Sequence, residues 1–189
     1  SDTLGGAAVV TFRLMQALKR EGLDVKMLVY TKTSDDPSVD TVSTRFFRGC
    51  AFCLERARIY AANGFNYGDL FKVSTGDFAV NIHRHPWAKE ADIVCLNWTN
   101  QGLMSLGGIR KLHKMGKKIV WTLHDMWAMT GICHHSYECA YNNDNCGNCQ
   151  FLAGGGHPRD LSRKIWDEKK KLYATTPIHF VTVSHWLEQ

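Results

Sequence analysis

The sequence lacks any apolar run of the roughly 18 or more residues that a membrane-spanning helix needs. It also opens without the charged, apolar and small-residue pattern of a signal peptide, so we expect a cytoplasmic protein. The loop-like start Ser1-Asp2-Thr3-Leu4 leads straight towards a helical pattern. We therefore expect that the domain lacks its first strand in this chain.

Three further absences exclude classes of partner and cofactor. Dense Lys/Arg tracts and aromatic ribonucleoprotein motifs are missing, so the net charge of +5 does not indicate nucleic-acid binding. This mild basic excess is compatible with phosphorylated substrates or with attachment to the anionic inner face of a membrane. The dinucleotide fingerprint G-x-G-x-x-G is absent, which argues against a nicotinamide or flavin cofactor.

Regular apolar segments are present, and they alternate between two periodicities. The 189 residues suffice for one well-buried domain, and short β-prone runs separated by helical patterns are typical of βαβ units. The pattern predicts an α/β, Rossmann-like domain over 1–189, with a mostly parallel sheet and helices on both faces. The predicted strands are 25–30, 92–97, 118–123 and 178–183, and the predicted helices are 7–21, 52–62, 101–116 and 160–173, with a further helix opening at Ser184. Residues 33–39 and 124–157 are predicted to be irregular.

Polar residues follow two of these strands directly. Ligands of open parallel sheets bind beyond the carboxyl ends of the strands. We therefore predict His124 and Asp125 as catalytic, with His124 as a base or as a donor to a sugar hydroxyl or phosphate. A structural role for both, with Asp125 capping the next turn, stays open. The predicted acceptor-binding residues are Asn97, Trp98, Asn100 and Trp127.

Gly5 and Gly6 precede the first predicted helix. Two glycines there let backbone N–H groups approach an anion, which the helix dipole also favours. The pair is therefore a candidate phosphate-binding element, although Gly-Gly can equally mark a tight turn into the helix.

The seven cysteines are an odd number, which does not favour a complete disulfide framework. Four of them form the pattern C-x5-C-x6-C-x2-C within a cysteine-rich loop over 131–151, and they are candidate ligands of a structural zinc: Cys133, Cys139, Cys146 and Cys149. Free or oxidised thiols are the alternative. Cys50 and Cys53 are incidental, a redox pair, or partners of Cys146 and Cys149.

The motifs together resemble bacterial family 4 glycosyltransferases. The similar segments are the helix start Gly5-Gly6-Ala7, the run DIVCLNWTNQGLMSL, the segment KKIVWTLHDMWAMTGICHHSYEC with CGNC, and the closing FVTVSHWLEQ. The resemblance covers most of 1–189 and is weak from about 35 to 85. It departs from the family pattern at Gln150 and Val183, where relatives commonly have proline.

This resemblance implies the N-terminal, acceptor-side half of a GT-B fold. Such enzymes transfer a sugar from a nucleotide-sugar donor with retention of configuration and need no catalytic metal. It implies that Gly5 and Gly6 lie near the donor phosphates and that His124 approaches the transferred sugar. The acceptor is expected to be a glycan or a lipid-linked intermediate of cell-surface polysaccharide synthesis.

The nucleotide-sugar domain of the family, with its E-x7-E element, is not in this sequence, so the isolated chain is expected to be inactive. Two other classes of function stay open. One is a non-catalytic binding module held together by zinc. The other is a metal-dependent hydrolase built from His124, Asp125, His134 and His135.

Overall fold

The computed structural model describes residues 1–139 and 145–185, which contain five α-helices and five short strands. The helices are α1 (Gly6–Arg20), α2 (Arg45–Ala62), α3 (Pro86–Glu90), α4 (Leu106–Lys114) and α5 (Leu161–Thr175). The strands are β1 (Met27–Val29), β2 (Val39–Thr41), β3 (Ile93–Asn97), β4 (Lys118–Leu123) and β5 (Ile178–Thr182). Short 3-10 helices cover Ile82–Arg84 and Ala153–Gly155.

Two predictions extend beyond this part of the chain. The helix predicted to open at Ser184 continues into 186–189, and the cysteine-rich loop includes 140–144. Both ranges lie outside the described residues.

Every pairing between these named strands is parallel. β1 pairs with β2, and β4 lies between β3 and β5. Asn97 at the end of β3 is in register with Thr122, and Leu123 at the end of β4 is in register with Thr182. The carboxyl ends of three strands therefore meet at one edge of the sheet. Parallel strands connected through helices confirm the predicted α/β, Rossmann-like class.

Helix α4 shows why the sequence folds in this way locally. Ser105 caps the helix by accepting a hydrogen bond of 3.0 Å from the backbone N–H of Gly108. Leu106, Ile109 and Leu112 follow at helical spacing, and all three are buried. Burying side chains of this size contributes about 1.5–3 kcal/mol each, so this face holds α4 against the sheet.

The main core lies between the central strand and the helices. Ile119, Trp121 and Leu123 alternate along β4 with partly exposed residues and are all buried. They belong to one cluster with apolar residues of α4 and α5, among them Ile165 and Leu172. A smaller cluster of Met15, Val29 and Val39 joins α1 to the β1–β2 pair.

Two helices begin at positions other than those predicted. Helix α2 begins at Arg45, not at residue 52. The prediction missed its first turns because Phe46 and Phe47 are exposed there and show no amphipathic pattern. Helix α4 begins at Leu106, not at residue 101. Gln101 and Gly102 have φ of 56° and 85°, a left-handed conformation that a helix cannot contain.

Two short elements were not predicted, and the first of them, β2, begins at Val39 inside the range 33–39 that was predicted to be irregular. Strand β2 has three residues, too few for an alternating pattern, and it forms because Val39 packs on Met15 and Val29 beside β1. Helix α3 has five residues and depends on its cap, where His85 accepts from the backbone N–H of Trp87 at 3.2 Å. None of the helices described has the length and apolar composition to span a membrane.

Candidate functional site

The side chain of His124 lies against the last residue of the neighbouring strand. His124 follows β4, and its Nε2 lies 3.0 Å from Oδ1 of Asn97 at the end of β3. Burial lowers the pKa of His124, and the nearby charge of Asp125 opposes this effect only in part. The imidazole is therefore neutral at pH 7, donates Nε2–H to Asn97 and keeps Nδ1 as an acceptor.

Asp125 is a half-buried, ionised carboxylate with defined partners. Its Oδ1 accepts from the backbone N–H of Trp127 at 2.9 Å, and its Oδ2 lies 2.7 Å from Nδ1 of His134. Burial acts to raise the pKa of Asp125, but the hydrogen bonds from His134, from Trp127 and from the Trp98 side chain outweigh it. The net pKa is lowered, so the carboxylate keeps its charge at neutral pH.

His134 joins this site from the cysteine-rich loop. Its Nε2 lies 3.1 Å from Oγ of Ser74, while its Nδ1 contacts Asp125 and lies 3.3 Å from Nδ2 of Asn100. Its ring stacks on Trp98 with centroids 6.0 Å apart and planes 24° from parallel. The sequence identified His134 only for the alternative hydrolase. Its neighbour Ser74 lies 60 positions away in no recognisable motif, so no sequence signal pointed to it.

A buried ion pair on α2 fixes the backbone around Ser74. The Oε1 atom of Glu55 accepts from the backbone N–H groups of Thr75 at 2.8 Å and Gly76 at 3.1 Å. Arg56 donates to Glu55 at 2.9 Å and to Oγ of Ser74 at 3.4 Å. Glu55, Ser74 and Thr75 are fully buried, so the hydroxyl of Ser74 has a fixed place beside His134.

One pocket brings together most of the predicted site residues. It is lined by residues after β3, including Trp98 and Asn100, and by the segment from Trp121 to Ala128 that contains His124 and Asp125. Trp98 is 38% exposed and has φ of 43°, a left-handed conformation that is uncommon for a bulky residue. Its indole is therefore held at the surface of the pocket.

Trp127 is a predicted acceptor-binding residue whose side chain is buried. Its side chain is only 2% exposed, and its Nε1–H donates to the backbone carbonyl of Ser74 at 2.8 Å. A Cβ at Gly76 would lie 2.8 Å from the Trp127 ring. The indole is thus packed in the core, although Trp127 is also among the residues that line the pocket, and its predicted contact with an acceptor stays a prediction.

The glycines before α1 form an open helix start. Gly5 has φ of 96°, and a Cβ at Gly5 or Gly6 would meet no atom within 4 Å. The nearby Asp2 accepts from the backbone N–H groups of Thr33 and Ser34, both at 2.9 Å. Neither glycine lines the pocket around His124 in the part of the chain that the structure describes. Their predicted phosphate contact stays a prediction.

Comparison with known proteins identifies the family. A family model described as Glycosyltransferase Family 4 matches residues 4–189, which is nearly the whole chain. The chain belongs to glycosyltransferase family 4. Searches of curated proteins and of solved structures gave no match.

A buried lysine holds the segment that follows β4 in this family 4 domain. The ammonium of Lys169, on α5, donates to the backbone carbonyl of Trp127 and, at 2.9 Å each, to those of Thr130 and Gly131. It also lies 3.6 Å from the centroid of the Trp127 ring. Burial lowers the pKa of Lys169 to about 7. The three hydrogen bonds of the Lys169 ammonium thus connect α5 to the backbone segment that follows Asp125.

The cysteine-rich loop of the family 4 domain surrounds a second pocket. Its lining includes all four predicted zinc ligands: Cys133, Cys139, Cys146 and Cys149. All seven cysteines are free thiols, and burial raises the pKa of Cys146 to about 11 and that of Cys149 to about 12.

The donor chemistry of these thiols suits zinc, but their placement does not yet form a site. Within 1–139 and 145–185, no three His, Cys, Asp or Glu side chains are arranged to hold one ion. The zinc therefore stays a prediction. Cys50 and Cys53 are exposed on α2 and are not joined by a disulfide.

The hydrolase alternative finds no support in these contacts. Ser74, His134 and Asp125 form a serine–histidine–aspartate chain, but Ser74 is fully buried and no substrate can reach its hydroxyl. His135, the remaining residue of the proposed metal centre, pairs with Tyr137 at a centroid distance of 6.2 Å. The described residues also lack a cluster of three metal-binding side chains.

Proposed function

We propose that this chain is the acceptor-side half of a retaining glycosyltransferase. The enzyme would transfer a sugar from a nucleotide-sugar donor to a glycan or lipid-linked acceptor in cell-surface polysaccharide synthesis. The observation that carries the proposal is the pair of His124 and Asp125 at the carboxyl ends of parallel strands, in a chain of family 4. This edge of the sheet is where α/β domains bind ligands.

The two polar side chains have different roles in this proposal. Neutral His124 donates its Nε2–H to Asn97. Its Nδ1 is therefore the atom that accepts a hydrogen bond from a hydroxyl of the donor sugar. Asp125 is ionised, so it accepts a hydrogen bond from a hydroxyl of the acceptor and favours the developing positive charge at the sugar carbon. The transferred sugar would lie between them.

Departure of the nucleotide diphosphate needs stabilisation of negative charge. The open start of α1 at Gly5 and Gly6 presents backbone N–H groups and the positive end of the helix dipole. The remaining phosphate contacts would come from a C-terminal nucleotide-sugar domain. We propose no metal for the chemical step, because a helix N-terminus and basic side chains can supply that stabilisation.

The site of action proposed is the cytoplasm, at or near the inner face of the membrane. Basic residues on and after α4 supply positive charge for anionic lipids: Arg110, Lys111, Lys114, Lys117 and Lys118. Arg110 is partly neutralised by Glu168 at 3.3 Å.

The test uses the protein expressed from its complete open reading frame. It is incubated with UDP-, GDP- and ADP-sugars and a membrane lipid extract, and released nucleotide diphosphate is quantified. We expect release with one donor and no release from residues 1–189 alone. His124→Ala should lower kcat at least about a hundredfold, as loss of a key transition-state contact does. His179→Ala, at an exposed position on β5, is the matched control and should keep wild-type turnover.

The alternative, a binding module held by zinc, has one supporting observation, the pocket lined by four cysteines. It predicts one zinc per chain by elemental analysis and no diphosphate release with any donor. A chain that turns over a donor sugar contradicts this alternative, whatever its metal content.

A further inference from the structure

The carboxylate of Asp125 has an acceptor position that no protein group fills. A carboxylate offers about four lone-pair positions. In Asp125, the backbone N–H of Trp127 uses one on Oδ1, His134 uses one on Oδ2, and the Trp98 side chain uses a third, which leaves about one open. The side chain is 13% exposed and lines the pocket beside His124. A ligand hydroxyl can therefore reach the carboxylate while these protein contacts are kept.

His134 has no such free position. The carboxylate of Asp125 can only accept, so Nδ1 of His134 carries a proton, while Nε2 forms a hydrogen bond of 3.1 Å with the hydroxyl of Ser74. Both ring nitrogens are thus used within the protein. His134 is consequently not a base for the substrate, and any effect it has on the reaction passes through Asp125.

The backbone of His134 is anchored from two sides. Its carbonyl accepts from the backbone N–H of Met126 at 3.0 Å, and its own N–H donates to the carbonyl of Lys72 at 3.2 Å. The Met126 contact joins His134 to the residue next to Asp125. The direction of the imidazole, and with it the direction of the Asp125 carboxylate, is set by these contacts.

Trp98 provides an aromatic surface in the same pocket. One face of its ring stacks on His134, and the ring is 38% exposed, so part of it is open to a ligand. Aromatic surfaces with a few placed polar groups are typical of pockets that bind small molecules. A sugar packed against Trp98 would present its hydroxyls to Asp125, because the Trp98 side chain also contacts that carboxylate.

We propose that His134 is a positioning residue that directs the Asp125 carboxylate at a hydroxyl of the acceptor sugar. The inference rests on the proposed transferase function and extends it to the cysteine-rich loop, which carries His134. The loop thereby contributes to acceptor recognition.

The test compares two substitutions at position 134 in the full-length enzyme. His134→Asn places an amide nitrogen close to the position of Nδ1 and can still donate to Asp125, whereas His134→Leu keeps the volume and removes the donor. Loss of a hydrogen bond to a charged group corresponds to roughly a tenfold to hundredfold change. We expect His134→Leu to lower kcat/KM for the acceptor by that factor, with the donor KM changed less than about twofold. His134→Asn should recover most of the loss.

Three controls separate the possible outcomes. His135→Leu changes the exposed neighbouring histidine and should leave both KM values unchanged. Far-UV circular dichroism and the Tm establish that each variant is folded. In the isolated chain, nitrogen-detected NMR should show a proton on Nδ1 of His134, and Asp125→Asn should disturb that resonance.

Two results overturn the proposal. If folded His134→Leu keeps the wild-type kcat/KM for the acceptor, or His134→Asn loses as much as His134→Leu, then His134 does not act through Asp125. If the wild type transfers no sugar at all, the proposed function fails and the acceptor role of His134 fails with it. The first result leaves the transferase intact, so the two failures are distinguishable.

Discussion

At the scale of single residues, the neutral state of His124 depends on burial and on one amide neighbour. Asn97 contributes a carbonyl oxygen without charge, so it orients the ring and does not favour the imidazolium. A carboxylate at the same place would favour protonation. With an amide at position 97, burial remains the main influence on the pKa of His124 and lowers it.

We expect the pKa of His124 to lie below the ordinary histidine value of about 6.5 and to rise in Asn97→Asp. An NMR titration of the histidine resonances measures both. Asn81→Asp, at an exposed position, should leave the titration of His124 unchanged. An unaltered pKa in Asn97→Asp would show that the 3.0 Å contact with Asn97 is absent in solution.

Lys169 gives a second prediction at this scale, on stability against pH. Burial lowers its pKa from 10.5 to about 7, so between these values the unfolded chain binds a proton that the native lysine has released. The free energy of unfolding of the wild type should therefore rise with pH from about 7 towards 10.5, relative to Lys169→Met. Below pH 7 both states bind the proton, and the difference between the two proteins should stay constant.

Urea unfolding of both proteins at several pH values between 6 and 10 measures this difference. Lys170→Met, at the exposed adjacent position, is the control and should follow the wild-type pH dependence. Parallel curves for wild type and Lys169→Met would contradict a depressed lysine pKa.

At the scale of elements, the cysteine-rich loop depends on close contact with α5. Gly131 is placed so that a Cβ would lie 2.4 Å from the backbone carbonyl of Ser162 and 3.0 Å from Cβ of Cys146. The N–H of Gly131 also donates to Sγ of Cys146 at 3.0 Å. This contact between backbones leaves no room for a side chain.

Gly131→Ala should destabilise the fold by about 2–4 kcal/mol, because the backbone of α5 or of the loop must move. Gly107→Ala is the matched comparison, since it lies inside α4 and a Cβ there would meet nothing closer than 3.9 Å. This second change should stabilise the protein by about 0.5–1 kcal/mol. Chemical unfolding midpoints measure both, and equal effects of the two substitutions would contradict the packing described.

At the scale of the whole molecule, the seven thiols fall into groups of different exposure. Cys50 and Cys53 are exposed on α2, whereas Cys133 and Cys149 are 8% exposed each. Burial also raises the pKa of Cys149 to about 12, so its reactive thiolate is scarce at pH 8. The fold therefore sets an order of reactivity.

Brief treatment with iodoacetamide at pH 8 should modify Cys50 and Cys53 first, and Cys133 and Cys149 only after unfolding. Peptide mass spectrometry measures the order, and labelling in urea provides the reference for unprotected thiols. Faster labelling of the four loop cysteines after a chelator is added would indicate a bound metal. Labelling of Cys149 at the rate of Cys50 would contradict the folded loop.

Local periodicity determined much of this architecture in advance. The strand predictions at 92–97, 118–123 and 178–183 match β3, β4 and β5 within one residue, because their apolar runs are short and bounded by turn residues. Placement of Trp98, Asn100, His124 and Asp125 at one pocket, with Asn97 in contact with His124, followed from the rule for parallel sheets. Both inferences need only neighbours in sequence and a known sheet geometry.

Tertiary structure decided the features that depend on distant residues. Trp127 was identified as a binding residue but is buried under Gly76, and Ser74 and His134 meet although 60 positions separate them. The sequence pattern predicts Lys169 to be an exposed residue of a charged helix, yet three carbonyls from another segment surround its ammonium. Sequence patterns report which face of an element is apolar, and they do not report which atom of a remote segment completes a hydrogen bond.

Thus the sequence by itself determined the fold class and the edge of the sheet where the site lies. Packing between remote segments decided which side chains remain open to a ligand.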